Sequence, residues 1–202
     1  MLKHKKNKFV LGVTGNIGCG KSTVARLFKT KDCLLIDADK LAHESVASGG
    51  EVYKRIKNYF GKEIIKKNQS IDRVKLAKIV FADQLALAKL NSIVHPAVIA
   101  EIKRRIKDSK KRIIILDASL IVEAGLARMV DKLVAVRAKR EQQILRSQKN
   151  LRLSRGQVLL RIKSQISQKK KSGFADFIID NRGTIKQTRK QVFEIRRKLW
   201  KS

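Results

Sequence analysis

An α/β fold with a parallel β-sheet core flanked by helices follows from three features of the sequence. Short apolar, partly β-branched runs occupy residues 9–13, 33–36, 113–116, 133–136 and 177–179, the composition of strands buried on both faces. Stretches with helical spacing separate them, an alternation that joins parallel strands through crossovers. A chain of 202 residues with 43% hydrophobic content can bury one full α/β core with modest insertions, and a second independent domain is not expected.

The first strand and helix carry the most specific motif. Residues 10–23 read VLGVTGNIGCGKST, so Gly15, Gly20, Lys21 and Ser22 fit the phosphate-loop pattern G-x-x-x-x-G-K-[ST] between the strand at 9–13 and a helix expected over 22–29. Backbone N–H groups can point into such a loop only where Cβ atoms do not interfere, and Gly15, Gly18 and Gly20 supply those positions. The helix N-terminus then faces the anion. A P-loop NTPase fold is therefore predicted, with Gly15, Asn16, Ile17, Gly18, Cys19, Gly20, Lys21, Ser22 and Thr23 as the nucleotide-binding segment. Lys21 is placed to neutralise the β- and γ-phosphates of ATP, and the Ser22 hydroxyl is a natural ligand for Mg²⁺.

The second run ends in Asp37-Ala38-Asp39 and the third in Asp117, so three carboxylates fall at the carboxyl ends of strands, where parallel sheets bind ligands. Asp117 ends its strand in the manner of a Walker-B carboxylate and is a candidate to hold Mg²⁺ through water. The long stretch 39–109 reads mostly as helix and is a candidate substrate-covering insertion. The segment 141–171 is helical and rich in Arg and Lys, and reads as a lid. Arg146, Arg152, Arg155 and Arg161 could reach phosphates there, with plain solvation of a helix face as the competing account. At the end of the chain Val192, Ile195 and Leu199 share one helical face, which should pack on the core.

Composition narrows the setting. There is no internal repeat and no Pro/Ser linker; Pro96 is the single proline, and His95 before it reads as a helix-start residue. No apolar stretch approaches the roughly 20 residues of a membrane span, and the opening MLKHKKNK lacks the apolar core of a signal peptide. A cytoplasmic protein without membrane contact is expected. Cys19 and Cys33 provide neither a disulfide framework nor metal-ligand spacing, and His4, His43 and His95 suggest no histidine metal site. A thiol beside Lys21 at a helix N-terminus should have a lowered pKa and react readily, with protection by ATP; a small buried residue without redox role is the alternative for Cys19.

The formal net charge of +31, from 48 Lys and Arg against 17 Asp and Glu, attracts polyanions over long range. Aromatic residues are only 5% of the chain, however, and no RNA-binding aromatic motif interleaves the basic runs. The charge is expected to collect phosphorylated small molecules, or to reflect lysine-rich usage, without a specific nucleic-acid partner.

Together these motifs resemble the dephospho-coenzyme A kinase family along nearly the whole chain. The match is carried by TGNIGCGKST from Thr14, DADKLAH from Asp37, Phe60-Gly61, residues 71–73 (IDR) and His95-Pro96. It continues through DASLIVE from Asp117, Gln143 with Arg146, Gln165 followed by Lys171, Ala175-Asp176, and Asn181 with Gly183. The resemblance implies ATP-dependent phosphorylation of the ribose 3′-hydroxyl of dephospho-coenzyme A, the last step of coenzyme A biosynthesis. It also implies one P-loop kinase domain: a nucleotide-binding core at 8–40, 112–140 and 172–202, a helical substrate-binding insertion at 41–111, and a helical lid at 141–171.

In that frame Asp39 is the base or orienting group for the attacking hydroxyl, with Asp37 as the rival. Lys21 and Arg146 complete the catalytic set. Asp37, Asp39, His95, Gln165 and Lys171 are substrate-binding, Ser22 and Asp117 metal-binding, and a monomer is favoured. Nucleotide or nucleoside kinases share the P-loop core but not the D-A-D and H-P motifs. A nucleic-acid-stimulated NTPase and an inactive ATP-binding scaffold are readings from other classes. The chain departs from the family pattern at Asn16 (usually glycine), Cys19 (usually serine), Ser119 (usually proline) and Asn150, where a second lid arginine is common.

Overall fold

The computed structural model describes residues 8–200, so His4 lies outside the described residues. Two compact units are present: one formed by the chain up to Asp37 and from Asp108 onward, the other by Ala38–Lys107.

In the first unit the five apolar runs are strands: β1 (Phe9–Thr14), β2 (Cys33–Asp37), β3 (Ile113–Asp117), β4 (Lys132–Arg137) and β5 (Phe177–Asp180). All neighbours pair in parallel, in the order β2-β3-β1-β4-β5. Most strands run a residue or two beyond their apolar stretch, because ladder hydrogen bonding does not stop where side-chain polarity changes. The helices, in chain order, are α1 (Lys21–Phe28), α2 (Ala38–Ser45), α3 (Glu51–Phe60), α4 (Arg73–Ala82), α5 (Gln84–Asp108), α6 (Arg140–Leu151), α7 (Arg155–Lys163), α8 (Gln168–Gly173) and α9 (Ile185–Leu199).

The core of this unit lies between the sheet and the pair α1 and α9. Leu11, Val13, Ile115, Val134, Val136 and Ile179 from the strands meet Val24 and Phe28 of α1 and Val192 and Ile195 of α9. Trp200 closes the end of that layer edge-on to Phe28, ring centroids 6.2 Å apart, and burial of such large rings is a main favourable term of the fold. Two carboxylates fasten the strand starts. Asp131 accepts the Val10 N–H at 2.7 Å, and Asp176 accepts the Leu133 N–H and the Lys132 ammonium, each at 2.8 Å.

The second unit is helical, as expected of the 39–109 stretch. Val52, Tyr53, Ile56 and Phe60 of α3 are buried with Leu76 and Val80 of α4 and Ile93, Val98, Ile102 and Ile106 of α5. Asp72 caps α4, accepting the Val74 and Lys75 N–H groups at 3.0 and 3.1 Å, the usual satisfaction of first-turn donors.

Two expectations change here. His95-Pro96 does not start a helix: both residues lie inside the 25-residue α5, which continues through the proline at the cost of one backbone hydrogen bond. Its length and its best 18-residue window, mean hydropathy 1.3, also make α5 long and apolar enough to cross a bilayer, contrary to the sequence-based expectation. Its buried positions 86, 93, 94, 98, 102 and 106 recur largely in steps of four or seven, the spacing of a helix with one inward face.

For Cys19 the structure decides between the two readings in favour of the small buried residue. It is fully buried in the core cluster with Leu11, Val13 and Val24, and burial, outweighing the Lys21 N–H and charge, pushes its thiol up to about 11. The loop turns the side chain into the core, so the Lys21 charge acts on a desolvated thiol. At pH 8 Cys19 should therefore be alkylated at less than about a hundredth of the rate of an exposed thiol, with or without ATP. Peptide mapping after iodoacetamide treatment checks this, and rapid labelling of the folded protein would contradict it.

Candidate active site

Strand register assembles the carboxyl edge of the sheet. Asp37 of β2 lies opposite Asp117 of β3, and Asp117 lies opposite Val13 of β1. β1 is central, with β3 on one side and β4 on the other, the topological switch at which parallel sheets receive ligands. The glycine loop leaves β1 at that point.

Lys21 opens α1, and Gly20 is its N-cap in a left-handed conformation, φ 91°. No side chain caps the helix and no acidic residue sits in its first turn, so the helix end keeps donors and partial positive charge for an anion. Two glycines are required by close approach. A Cβ at Gly18, φ 71°, would collide with the Gln143 carbonyl of α6, and one at Gly20 with the side-chain amide of Asn181.

The Lys21 ammonium stands 3.1 Å from Asp117 Oδ1, the two side chains being 11% and 2% exposed. It also donates to Ser22 Oγ at 3.4 Å. Loop lysine, hydroxyl and Walker-B-type carboxylate, separated by nearly a hundred positions in the chain, thus form one cluster. Arg146 on α6 reaches the same loop: its Nη2 donates to the Asn181 carbonyl at 3.1 Å. Its Nη1 is buried without a hydrogen-bond partner among the described residues, the kind of donor an anion satisfies.

The outer side of the loop is held by a ring of polar contacts. Asn16 donates to the Ile166 carbonyl at 3.1 Å, and the Ile17 N–H donates to Gln165 Oε1 at 2.9 Å. The Ile166 N–H donates to Glu123 at 3.4 Å. Glu123 pairs at 3.0 Å with the Lys171 ammonium, whose side chain is 1% exposed. Lys171 also donates to the Ser119 carbonyl, and the Thr14 hydroxyl reaches that same carbonyl at 3.2 Å, closing the ring at the loop entry. Asn181 holds the far end of the loop, donating to the Cys19 carbonyl at 2.8 Å and accepting from Thr188 of α9 at 2.9 Å.

Of the expected site residues, the loop set, Lys21, Ser22, Asp37, Asp117 and Arg146 belong to one unit, and Gln165 and Lys171 join them from the far end of the lid segment. Asp39 is the second residue of α2, in its first turn, and His95 is half-buried within α5, both in the helical unit. Among the lid arginines, Arg155 is engaged by Glu141 at 2.7 Å, a contact that holds the Glu141 carboxyl below its ordinary range. Arg152 ends α6 in a left-handed conformation. Arg161 is partly buried, which lowers its guanidinium pKa, and Asn150 is exposed. A cavity of about 710 Å³ opens outside the loop, between Asn16, Gln143 and Arg140 on one side and Leu159, Leu160 and Lys163 of α7 on the other.

Sequence patterns missed the supporting residues Thr14, Glu123 and Asn181 as parts of the site. Each acts across more than 40 positions, and although all three lie in the motifs that carry the family resemblance, those motifs assign them no contact with the loop.

Known proteins agree with this arrangement. The dephospho-CoA kinase family model matches residues 9–187. The dephospho-CoA kinase of Carboxydothermus hydrogenoformans is 39% identical over 195 residues, covering 95% of this chain and 94% of that relative. The one from Aquifex aeolicus is 42% identical over 190 residues, covering 92% and 94%. Among solved structures, a Thermus thermophilus protein superposes with TM-score 0.82 at 27% identity, covering 98% of this chain and all of that one. The dephospho-CoA kinase of Campylobacter jejuni does so with TM-score 0.66 at 27% identity, covering 94% and 96%. A shikimate kinase from Bacteroides thetaiotaomicron, at 12% identity and TM-score 0.55, shares the fold. A glycine loop clamped beside a buried Lys-Asp pair, matched at this level over almost its full length, places the chain in the dephospho-CoA kinase family of P-loop kinases, which carries out the final, ATP-dependent step of coenzyme A biosynthesis.

Proposed function

We propose that this chain transfers the γ-phosphoryl group of ATP to the ribose 3′-hydroxyl of dephospho-coenzyme A, with Mg²⁺ as cofactor and with the residues of the glycine loop as the nucleotide cradle. The observation that supports this most directly is the meeting of Lys21, Ser22 and Asp117 at the mouth of the loop. A hydroxyl and a carboxylate at one point are hard oxygen donors of the kind Mg²⁺ takes alongside phosphates. The chemistry such an ion would supply is positive charge against that developing on the transferred group. Ser22 and Asp117 are the residues to hold it. Lys21, relieved of Asp117, turns to the phosphates, and the unpartnered Nη1 of Arg146 supplies a further donor to the equatorial oxygens.

Asp39 is the group assigned to align and deprotonate the attacking hydroxyl, with Asp37 in its own strand-end position as a substrate contact. The helical insertion carrying His95 serves acceptor binding. Gln165 and Lys171 act on the substrate through the loop: both side chains already hold its outer wall, and Lys171 has its charge matched by Glu123. A cytoplasmic monomer fits a chain whose two cysteines are reduced and buried.

ATP-dependent conversion of dephospho-coenzyme A to coenzyme A by the purified protein tests this, and binding of ATP without turnover would overturn it. Lys21→Ala and Asp117→Asn should each lower kcat by about 100-fold or more, from lost charge stabilisation. Asp39→Asn should cost about 100- to 10,000-fold in kcat with little change in the ATP KM, and Asp37→Asn should cost less. Stability measurements in denaturant address the clamp. Glu123→Ala leaves the Lys171 ammonium buried without its counter-charge and should lower unfolding free energy by about 3–5 kcal/mol, a loss that adding Lys171→Met should largely recover.

A further inference from the structure

The net charge of +31 is far more than a site for two small anionic substrates uses. Much of it lies on helices, where side chains three, four and seven positions apart share a face. On α9 the inward face is committed to the core: Val192 and Ile195 are buried in the main cluster, Thr188 holds Asn181, and Gln191 bonds both backbone groups of Asp180 at 2.8 and 2.9 Å. The opposite face carries Lys186, Arg189, Lys190 and Arg197, all exposed. In the middle of them, at position 193, stands a phenylalanine that is 59% exposed. None of the four cations forms an ion pair among the described residues.

An aromatic ring left in water forgoes the gain of burial, and four like charges along fewer than four turns, with the exposed Glu194 beside them, carry a net repulsion. Both features become favourable against one kind of surface, a line of phosphates carrying unstacked bases: the cations displace counterions, and the ring offers a stacking platform. The sequence carries no RNA-binding aromatic motif, which spoke against nucleic acid, but Phe193 lies between Lys190 and Arg197, and the helix puts it on one face with all four cations. Insertion into a lipid surface is a poorer fit, because an interfacial helix needs a broad apolar face and that of α9 is already buried under the sheet.

We propose that the outer face of α9 is a binding surface for a single-stranded polynucleotide, with Lys186, Arg189, Lys190 and Arg197 on successive phosphates and Phe193 stacked on a base. The surface is separate from the proposed catalytic residues, so occupancy and phosphoryl transfer are independently measurable.

The test is fluorescence anisotropy of the full-length protein with a labelled 20-nucleotide oligouridylate over a series of salt concentrations. Wild type should bind with a steep salt dependence. Changing the four stripe cations to Gln should reduce the slope of log K against log salt by about 3, close to 0.7 for each single-strand phosphate no longer neutralised. Phe193→Ala should weaken binding about 5- to 100-fold with the slope unchanged, the signature of lost stacking. Kinase turnover in both variants should stay within twofold of wild type, which confirms that they are folded. The control removes equal charge elsewhere, through Lys54, Lys57, Lys66 and Lys67 to Gln. Equal losses from control and stripe variants would overturn the proposal in favour of diffuse charge. So would unchanged binding by Phe193→Ala, or tighter binding of wild type to phosphatidylserine vesicles than to the oligonucleotide.

Discussion

The structure depends on one backbone constraint: the glycine loop must keep its turn open at the N-terminus of α1, where an anion binds, and the space it surrounds cannot itself hold the loop in place. Its support therefore comes from outside. α6 lies directly on Gly18, Asn181 on Gly20, Gln165 and Ile166 on Asn16 and Ile17, and the Ser119 carbonyl on Thr14. Segments from both ends of the lid region and from β5 meet at the loop, which explains why polar residues spread over the latter half of the chain are needed to keep six residues near its start in shape. Asn16, where the family pattern has glycine, takes part in this support through its side chain, and the loop is not disturbed by it.

Charge is arranged by the same economy of space. A lysine that must face phosphates cannot be left alone in a dry pocket, and Asp117, brought alongside by the β1–β3 register, answers it. Lys171 is buried still more deeply and is matched by Glu123 and a carbonyl, so its charge is compensated within the protein. Lys21 and Lys171 are thus individually matched, whereas Lys186, Arg189, Lys190 and Arg197 on the outer face of α9 form no ion pair among the described residues. That contrast is what gives the surplus charge of this chain a location.

Much of this was legible in the amino-acid order. Strand positions came through because a parallel strand covered on both faces has to be apolar end to end, and the runs at 33–36 and 113–116 stand out against their charged surroundings. The loop motif was legible because its geometry demands glycine at set positions. His95-Pro96 was misplaced for the converse reason: a proline's local preference for helix starts is a weak signal, overridden in α5 by the packing of residues on either side. Cys19 was left between two readings because the direction of one side chain in a tight loop, inward to the core or outward to the ligand, is not a property of composition.

The sequence by itself determined the strand–helix alternation, the phosphate-binding loop and the family, all of which follow from local periodicity or from motifs whose spacing is contiguous. Only the tertiary structure decided which carboxylate meets Lys21, which residues brace the loop, and that Cys19 is a core residue. Most of those relations join positions far apart in the chain, and they exist only after strand register and helix packing have brought the positions together.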